Sequence, residues 1–333
     1  MKVALFGAGR IGKVHAASIK ADRRSDLVAV TDVMDEAAQS LAAEHGLSVM
    51  SPDAIMSDTS IDAILIASST NTHSDLIEAG VAAGKAIFCE KPIDLSLTRA
   101  HEVLRASAAH EKPMMMGFNR RFDPNFAAMK TALDAGEIGT GELLAITSFD
   151  PAPPPVSYIE VSGGLYRDMM IHDFDIASFL FGMPQTVMAH GSCLVDPAIG
   201  TAGDVDTAVV TLGYADGRLA TIRCSRRAAY GYDQRVEVLG SAGALSAENV
   251  RENTITRSGA DGVVSAKPLH FFLERYMRAY EIEWSAFVDA VVDGAPVPAT
   301  VQDGVNALAL AEAANMRSES TRLNSSHPSR SRM

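Results

Sequence analysis

Gly7-Ala8-Gly9-Arg10-Ile11-Gly12 follows directly on an apolar run, Lys2–Phe6, and opens a stretch with helical periodicity. A strand that turns at once into a helix around three glycines has few structural solutions. The first glycine permits the tight turn, and the second lets backbone N–H groups approach a pyrophosphate. The third lets the helix pack close to the strand. GxGxxG alone is a weak signal, and a glycine loop kept for packing is the plain alternative. Here the context adds to it, because Asp32 closes the next apolar run, 20 residues beyond Gly12. A carboxylate there accepts both ribose hydroxyls of a dinucleotide and repels a 2′-phosphate. Val33, Met34 and Asp35 bring no cation to the turn. The motif predicts NAD rather than NADP, held at Gly7, Gly9, Arg10, Ile11, Gly12 and Asp32.

The apolar runs that follow extend this half. Leu27–Asp32, Ile61–Ser69, Ala86–Pro92 and Lys112–Phe118 are nearly continuous in hydrophobicity, as strands covered on both faces are. Helical patterns lie between them, one ending on Gly46. The alternation predicts an α/β domain over residues 1–122, a doubly wound parallel sheet of the Rossmann type. The pattern changes after Phe122. A helix is expected over Asp123–Gly136, with Pro124 in its first turn, and then β-like runs come one after another. These are ELLAITSF, TVMAHGSCLV, DTAVVTLGY, RLATIRCS and QRVEVLG, with turn chemistry at Tyr214–Gly217 and Gly240–Gly243. They predict an α+β domain over 123–316, built on a large, mostly antiparallel open sheet. Asp150–Pro155 forms a stiff loop, and Phe271–Val292 and Gln302–Asn315 are late helices. Residues 317–333 hold six Ser and four Arg, with only Leu323 and Met333 apolar. That composition cannot offset chain entropy, so the expectation is a disordered tail, its nativeness left open.

Bulk properties exclude several classes. A net charge of −12 over 333 residues speaks against a nucleic-acid partner, which needs clustered Lys and Arg. Cys89, Cys193 and Cys224 are far apart and read as free thiols in a reducing compartment. No apolar run approaches the roughly 20 residues of a membrane span. The expectation is a cytoplasmic protein with no membrane and no nucleic-acid partner.

Three short stretches carry chemistry. In GGLYRDMMIHDFD, Asp168 and His172 stack one turn apart if the run is helical, with Asp175 a further turn along and Asp173 turned aside. That spacing suits a general base with an orienting carboxylate, and equally an acid-rich helix start. A metal set of Asp168, His172, Asp173 and Asp175 is disfavoured because Asp173 leaves the shared face; no metal is expected. Ser68, Thr70, Asn71 and His73 sit where the third run ends and either line the cofactor's ribose or cap the next helix. In CEKPI, the proline forces Lys91 out of helical geometry, which aims it toward the nicotinamide; Glu90 joins the cofactor site with it. His101 and His110 read as plain surface residues.

The ordered set GAGRIG, EKP, GFNRRFDP, GGLYRDMMIHDFD and YGYDQRVEVLG resembles the Gfo/Idh/MocA oxidoreductase family, and within it the inositol-oxidising branch. The likeness covers about residues 1–315. The resemblance implies a Rossmann domain followed by an α+β domain whose open sheet makes dimer and tetramer contacts. It matches Lys91 to the family's EKP lysine, and Asp168 and His172 to the Asp-x-x-x-His pair of the branch. It matches Arg121 to the substrate arginine, with Arg120 adjacent, and Asp150 to a polyol contact. The family's Ser-Arg-Asp-Pro is here Ser148-Phe149-Asp150-Pro151, a departure at that contact. Tyr276 or Tyr280 would close the cleft from the late helix. His172 would then be the base and Asp168 its orienting partner, while Lys91 would donate to the developing alkoxide or share the proton with His172. The expected activity is NAD-dependent oxidation of a cyclitol ring hydroxyl, most naturally myo-inositol to 2-keto-myo-inositol. Another sugar or polyol dehydrogenase, an NAD-dependent glycosidase and a non-catalytic NAD-binding regulator are the alternatives.

Overall fold

Strands that are apolar on both faces must be covered on both sides. Every residue of the strands Ala63–Ile66 and Ala86–Glu90 is buried. The computed structural model describes residues 1–320. Its first half alternates β1 (Lys2–Phe6), α1 (Arg10–Ala21), β2 (Asp26–Thr31), α2 (Asp35–His45), β3 (Ser48–Val49), α3 (Pro52–Ser57), β4 (Ala63–Ile66), α4 (His73–Ala82), β5 (Ala86–Glu90), α5 (Leu97–Ala106) and β6 (Met114–Gly117). The strands form one parallel sheet in the order β3-β2-β1-β4-β5-β6. The order reverses at β1, and a doubly wound sheet opens its ligand crevice at the carboxyl ends of the strands there. β3 carries no periodic signal because both of its residues are exposed.

A short 3₁₀ turn, Asn119–Phe122, leads out of this sheet. There follow α6 (Pro124–Asp134), β7 (Gly141–Phe149), α7 (Val156–Ser162), a π turn at Leu165–Met169, α8 (Ile171–Phe181), β8 (Thr186–Ser192), α9 (Pro197–Thr201), β9 (Thr207–Gly213), β10 (Leu219–Ser225), β11 (Asp233–Gly240) and β12 (Gly243–Ala247). The Asp123 side chain caps α6 by accepting from Asn125 and Phe126, with Pro124 in the first turn. The second sheet runs β12-β11-β7-β10-β9-β8 and is antiparallel except for the parallel pair β7–β10. Its strands alternate: Ala208, Val210 and Leu212 point into the core, whereas Val209 and Thr211 face out. A small hairpin of β13 (Thr256–Gly259) and β14 (Gly262–Ser265) precedes α10 (Phe272–Val292) and α11 (Val301–Ser320).

Two expectations need correction. The last helix runs on through Ser320, with Ser318 buried, so ordered structure extends four residues into the supposed tail. The packing of α11 across β8 and α8 supplies what the local composition lacks. The remainder, 321–333, lies outside the described residues. His110 is no plain surface residue: it is partly buried and its Nε2 lies 2.8 Å from the Lys85 carbonyl oxygen.

Candidate functional site

Loops after β1, β4 and β5 meet at the carboxyl edge of the parallel sheet. Gly7 adopts φ +103°, and a Cβ on it would stand 2.5 Å from the Ala67 carbonyl oxygen. A Cβ on Gly12 would stand 2.0 Å from the Gly7 carbonyl oxygen, so the third glycine is what lets α1 sit against β1. Gly9 differs, because a Cβ there meets nothing within 4 Å among the described residues. Gly9 is also the N-cap of α1 and supplies no side chain to the first-turn N–H groups. An open cradle over uncapped helix amides fits a pyrophosphate. Arg10 is exposed and its guanidinium lies 6.0 Å over the Phe271 ring, while Ile11 is half-buried beside it.

Asp32 reinforces the cradle. Its Oδ2 accepts from the Ala8 N–H at 2.6 Å and its Oδ1 from the Met34 N–H at 2.8 Å. Each oxygen keeps acceptor capacity for a ribose diol. Val33, next to it, is 93% exposed. The β4 loop presents Ser68, Thr70 and Asn71, with the Ser68 and Thr72 hydroxyls 2.7 Å apart. His73 does neither of the things expected of it. It is buried, with Nδ1 2.8 Å from the Pro92 oxygen and Nε2 3.1 Å from the Ser68 oxygen, so it latches the β4 and β5 loops together. Burial pushes its pKa down, against both carbonyls. Glu90 likewise faces inward, 2.7 Å from His15 Nε2, and braces the Lys91 backbone N–H at 3.2 Å.

Lys91 leaves β5 through a cis peptide to Pro92 and reaches across to the second half of the chain. Its Nζ donates to the Asp168 carbonyl at 2.8 Å and lies 3.6 Å from Asp168 Oδ1. Asp168 sits in the π turn, where the Met170 N–H bonds the Leu165 carbonyl. The expected stacking of Asp168 under His172 is not what the structure shows. The π turn ends between the two residues, and Asp168 bonds the Tyr158 hydroxyl at 3.0 Å and faces Arg226 Nη2 at 3.6 Å, rather than His172. His172 Nδ1 is buried with no hydrogen-bond partner among the described residues. Burial, then the charges of Lys91 and Arg120, push its pKa well below the ordinary range, so the ring is neutral.

The acids after His172 turn toward the arginines. Asp173 pairs with Arg120 at 2.5 Å and Asp175 with Arg121 at 2.6 Å, all four side chains nearly fully buried. Arg121 is spent there, since Asp303 at 3.2 Å and the Pro298 carbonyl at 2.8 Å take its remaining donors. Arg120 instead stands among the cleft residues: over the Tyr276 ring at 5.8 Å and 3.4 Å from both the Ser148 and Tyr232 hydroxyls. The structure therefore puts Arg120, not Arg121, on the cleft side of the Asn119–Phe122 turn. Asp150 is here too, its carboxyl pushed up to about 7 by burial, against the pull of Arg226 and Arg120. Tyr276 keeps a buried, unpartnered hydroxyl among the described residues. Tyr280 turns the other way, packing edge-on against His15 at 5.4 Å behind β5, so it does not close the cleft.

Sequence reasoning left Tyr158, Arg226, Tyr232 and Gln234 unassigned. Three of them belong to the stretch from Ser225 to Gln234, where Gln234 Oε1 accepts from the Ser148 hydroxyl at 3.2 Å; the YGYDQ run within it was the one signal that could have found them.

Comparison with known proteins agrees with this architecture. Residues 1–118 match the model of an oxidoreductase family with an NAD-binding Rossmann fold, and residues 126–246 match the Gfo/Idh/MocA C-terminal domain. The chain is 49% identical to the inositol 2-dehydrogenase of Rhizobium meliloti (strain 1021), over 94% of this chain and 96% of that protein. It is 44% identical to the myo-inositol 2-dehydrogenase of Thermotoga maritima, over 97% of each. It superposes with a TM-score of 0.89 on the scyllo-inositol dehydrogenase of Lactobacillus casei bearing NAD(H) and scyllo-inositol, at 30% identity, over 96% of this chain and 97% of that one.

Proposed function

Because the chain belongs to the Gfo/Idh/MocA family of NAD-binding oxidoreductases, we propose that it oxidises a ring hydroxyl of a cyclitol, taking myo-inositol to 2-keto-myo-inositol. The observation that carries this reading is Lys91 at the carboxyl end of β5, held by Asp168 and near enough to a neutral His172 for its charge to act on that ring. NAD, held on Gly7–Gly12 and Asp32, supplies the hydride acceptor. His172 takes the hydroxyl proton on the ring nitrogen left free, and Lys91 donates to the oxygen as it gains negative charge. Asp168 fixes the Lys91 ammonium rather than the imidazole. Asp150, Arg120, Tyr276 and the acceptors around them offer the converging polar contacts that a ring of hydroxyls needs.

The outward face of the second sheet carries Leu143, Met188, Val209, Leu219 and Leu239, each more than 40% exposed. Leu239, Leu143 and Leu219 lie side by side across three strands, and this exposed apolar row supports a homo-oligomer, a tetramer or dimer, formed through that sheet. Among the described residues no helix is long and apolar enough to cross a membrane. Three unpaired cysteines support a cytoplasmic location, and the net charge of −12 disfavours nucleic acid.

The test follows NADH absorbance at mildly alkaline pH, with NAD or NADP and with myo-inositol, scyllo-inositol or glucose in turn. Rapid NAD reduction with myo-inositol and weak reduction with NADP are expected. Tight NAD binding with no reduction by any polyol would overturn the reading and favour a hydrolase or a regulator.

A further inference from the structure

Arg226 is the most deeply buried cation of the cleft. It follows β10, its backbone N–H bonding the Asp206 carbonyl at 2.8 Å, and the residue is only 1% exposed. A guanidinium shut away from water normally saturates its fork on a carboxylate. This one does not: its Nε and Nη2 have no hydrogen-bond partner among the described residues. What it faces instead is a ring of acids from separate elements. Asp168 in the π turn lies 3.6 Å from Nη2, and Asp150 after β7 and Asp204 before β9 both feel its charge, as does Tyr158 of α7.

The Asp168 carboxylate is thus gripped from both sides. Oδ1 faces Lys91 at 3.6 Å and takes the Tyr158 hydroxyl, while Oδ2 faces Arg226 at the same separation. Among the described residues Arg226 is the cation paired with Oδ2, so its loss frees the carboxylate to rotate away from Lys91. Asp150 is tied to the residue before Arg226, its backbone N–H donating to the Ser225 carbonyl at 2.9 Å, and there it meets Arg226 and Arg120 as its cations and Asp168 and Asp173 as its anions. Asp204 anchors the same turn, accepting the Leu165 N–H on both oxygens at 3.0 and 3.1 Å.

We propose that Arg226 is a positioning residue of the reaction: its buried guanidinium fixes Asp168 against Lys91 and serves as the countercharge of Asp150. This rests on the dehydrogenase reading of the same cleft. Arg226 acts through the two aspartates and takes no proton or hydride itself.

The experiment compares native protein, Arg226→Gln and Arg226→Lys, all with NAD bound. Two readouts are used: the pH dependence of kcat and KM with myo-inositol, and infrared titration of the carboxylates in ¹³C-aspartate-labelled protein. In the Gln variant the Asp150 titration moves up by about one pH unit, because a nearby cation lowers a carboxylate by one to three. The acid limb of KM moves with it, and kcat falls about 10- to 100-fold from misplacement of the Asp168–Lys91 pair. The Lys variant keeps the titration near its native position, yet loses kcat because an ammonium cannot span both acids. An Arg226→Gln variant with native titration and native kcat overturns the inference. If that variant does not fold, Arg226→Lys decides, and native kcat in it is equally fatal. The infrared titration needs no turnover. A shift there in a protein that reduces no NAD leaves Arg226 standing as the countercharge of Asp150 and removes the dehydrogenase reading together with the positioning role; turnover with an unmoved titration keeps that reading and removes the countercharge.

Discussion

Gly9 and Gly12 lie three residues apart in the same motif, and the structure assigns them opposite sensitivities. At Gly9 an added Cβ meets no atom within 4 Å among the described residues, and the backbone at φ −71° and ψ −167° is open to any residue. Gly9→Ala therefore strains nothing in the folded protein. Reduced freedom of the unfolded chain contributes about 0.4–1 kcal/mol, and the poorer N-cap offsets a similar amount. The melting temperature should then move by less than about 2 °C. The methyl group does fill the space above the first-turn amides, where a pyrophosphate would approach. Loss of one charge-assisted hydrogen bond costs about 1.5–3 kcal/mol, so NAD should bind at least about 10-fold more weakly. Gly12→Ala places its methyl 2.0 Å from the Gly7 carbonyl oxygen, which is backbone and must move. Overpacking of that kind costs about 1–3 kcal/mol, so this variant loses stability as well as affinity. Calorimetric titration with NAD and a thermal melt of each variant separate the two cases. Native NAD affinity in Gly9→Ala, or a stability loss equal to that of Gly12→Ala, would refute the placement of the cofactor.

His172→Ala should lower turnover by about 100-fold or more, the low end for a general base, with NAD affinity kept; near-native turnover would remove His172 from that role. Asp173→Ala strands the Arg120 guanidinium in a site where neither side chain is more than 5% exposed. The urea midpoint should report a loss of about 3–5 kcal/mol, and an unchanged midpoint would show that the pair contributes nothing. Glu283 of α10 is fully buried with both oxygens unpartnered among the described residues. Burial, then Glu90 and Asp175, hold its carboxyl well above the usual range. Its contribution to stability is complete below the unfolded value near 4.3 and is lost as pH rises toward the folded value. Relative to native protein, Glu283→Gln should therefore gain stability as pH rises above about 4.3, by at most about 1.4 kcal/mol per unit. A flat difference across that range would show that Glu283 titrates normally.

Periodicity and glycine chemistry made the parallel sheet legible, because every strand but β3 is apolar in all but its end residues. The same holds for most of the second sheet, where hairpin glycines and alternation agree. The parallel pairing of β7 with β10 was not legible, because it depends on a connection that runs through α8 and β9. Within the site, the glycine cradle, Asp32 and Lys91 take their places from local motifs at strand ends, whereas the stacking assumed for Asp168 and His172 is not what the structure holds. The π turn separates Asp168 from His172, and nothing in Leu165–Met169 signals it. The different placements of Arg120 and Arg121 come from Asp173 and Asp175, more than fifty residues away, and from Asp303 near the other end of the chain. Arg226 and Tyr158 were invisible for the same reason, since each acquires its role only from neighbours on other elements.

The central claim is that a hydride leaves a ring carbon of the polyol and arrives on NAD at this cleft. It is tested most directly by supplying myo-inositol deuterated at carbon 2 and weighing the reduced nicotinamide by mass spectrometry. The account predicts one deuterium in each molecule of reduced cofactor. Reduced cofactor without deuterium, or none formed while NAD stays bound, would contradict it.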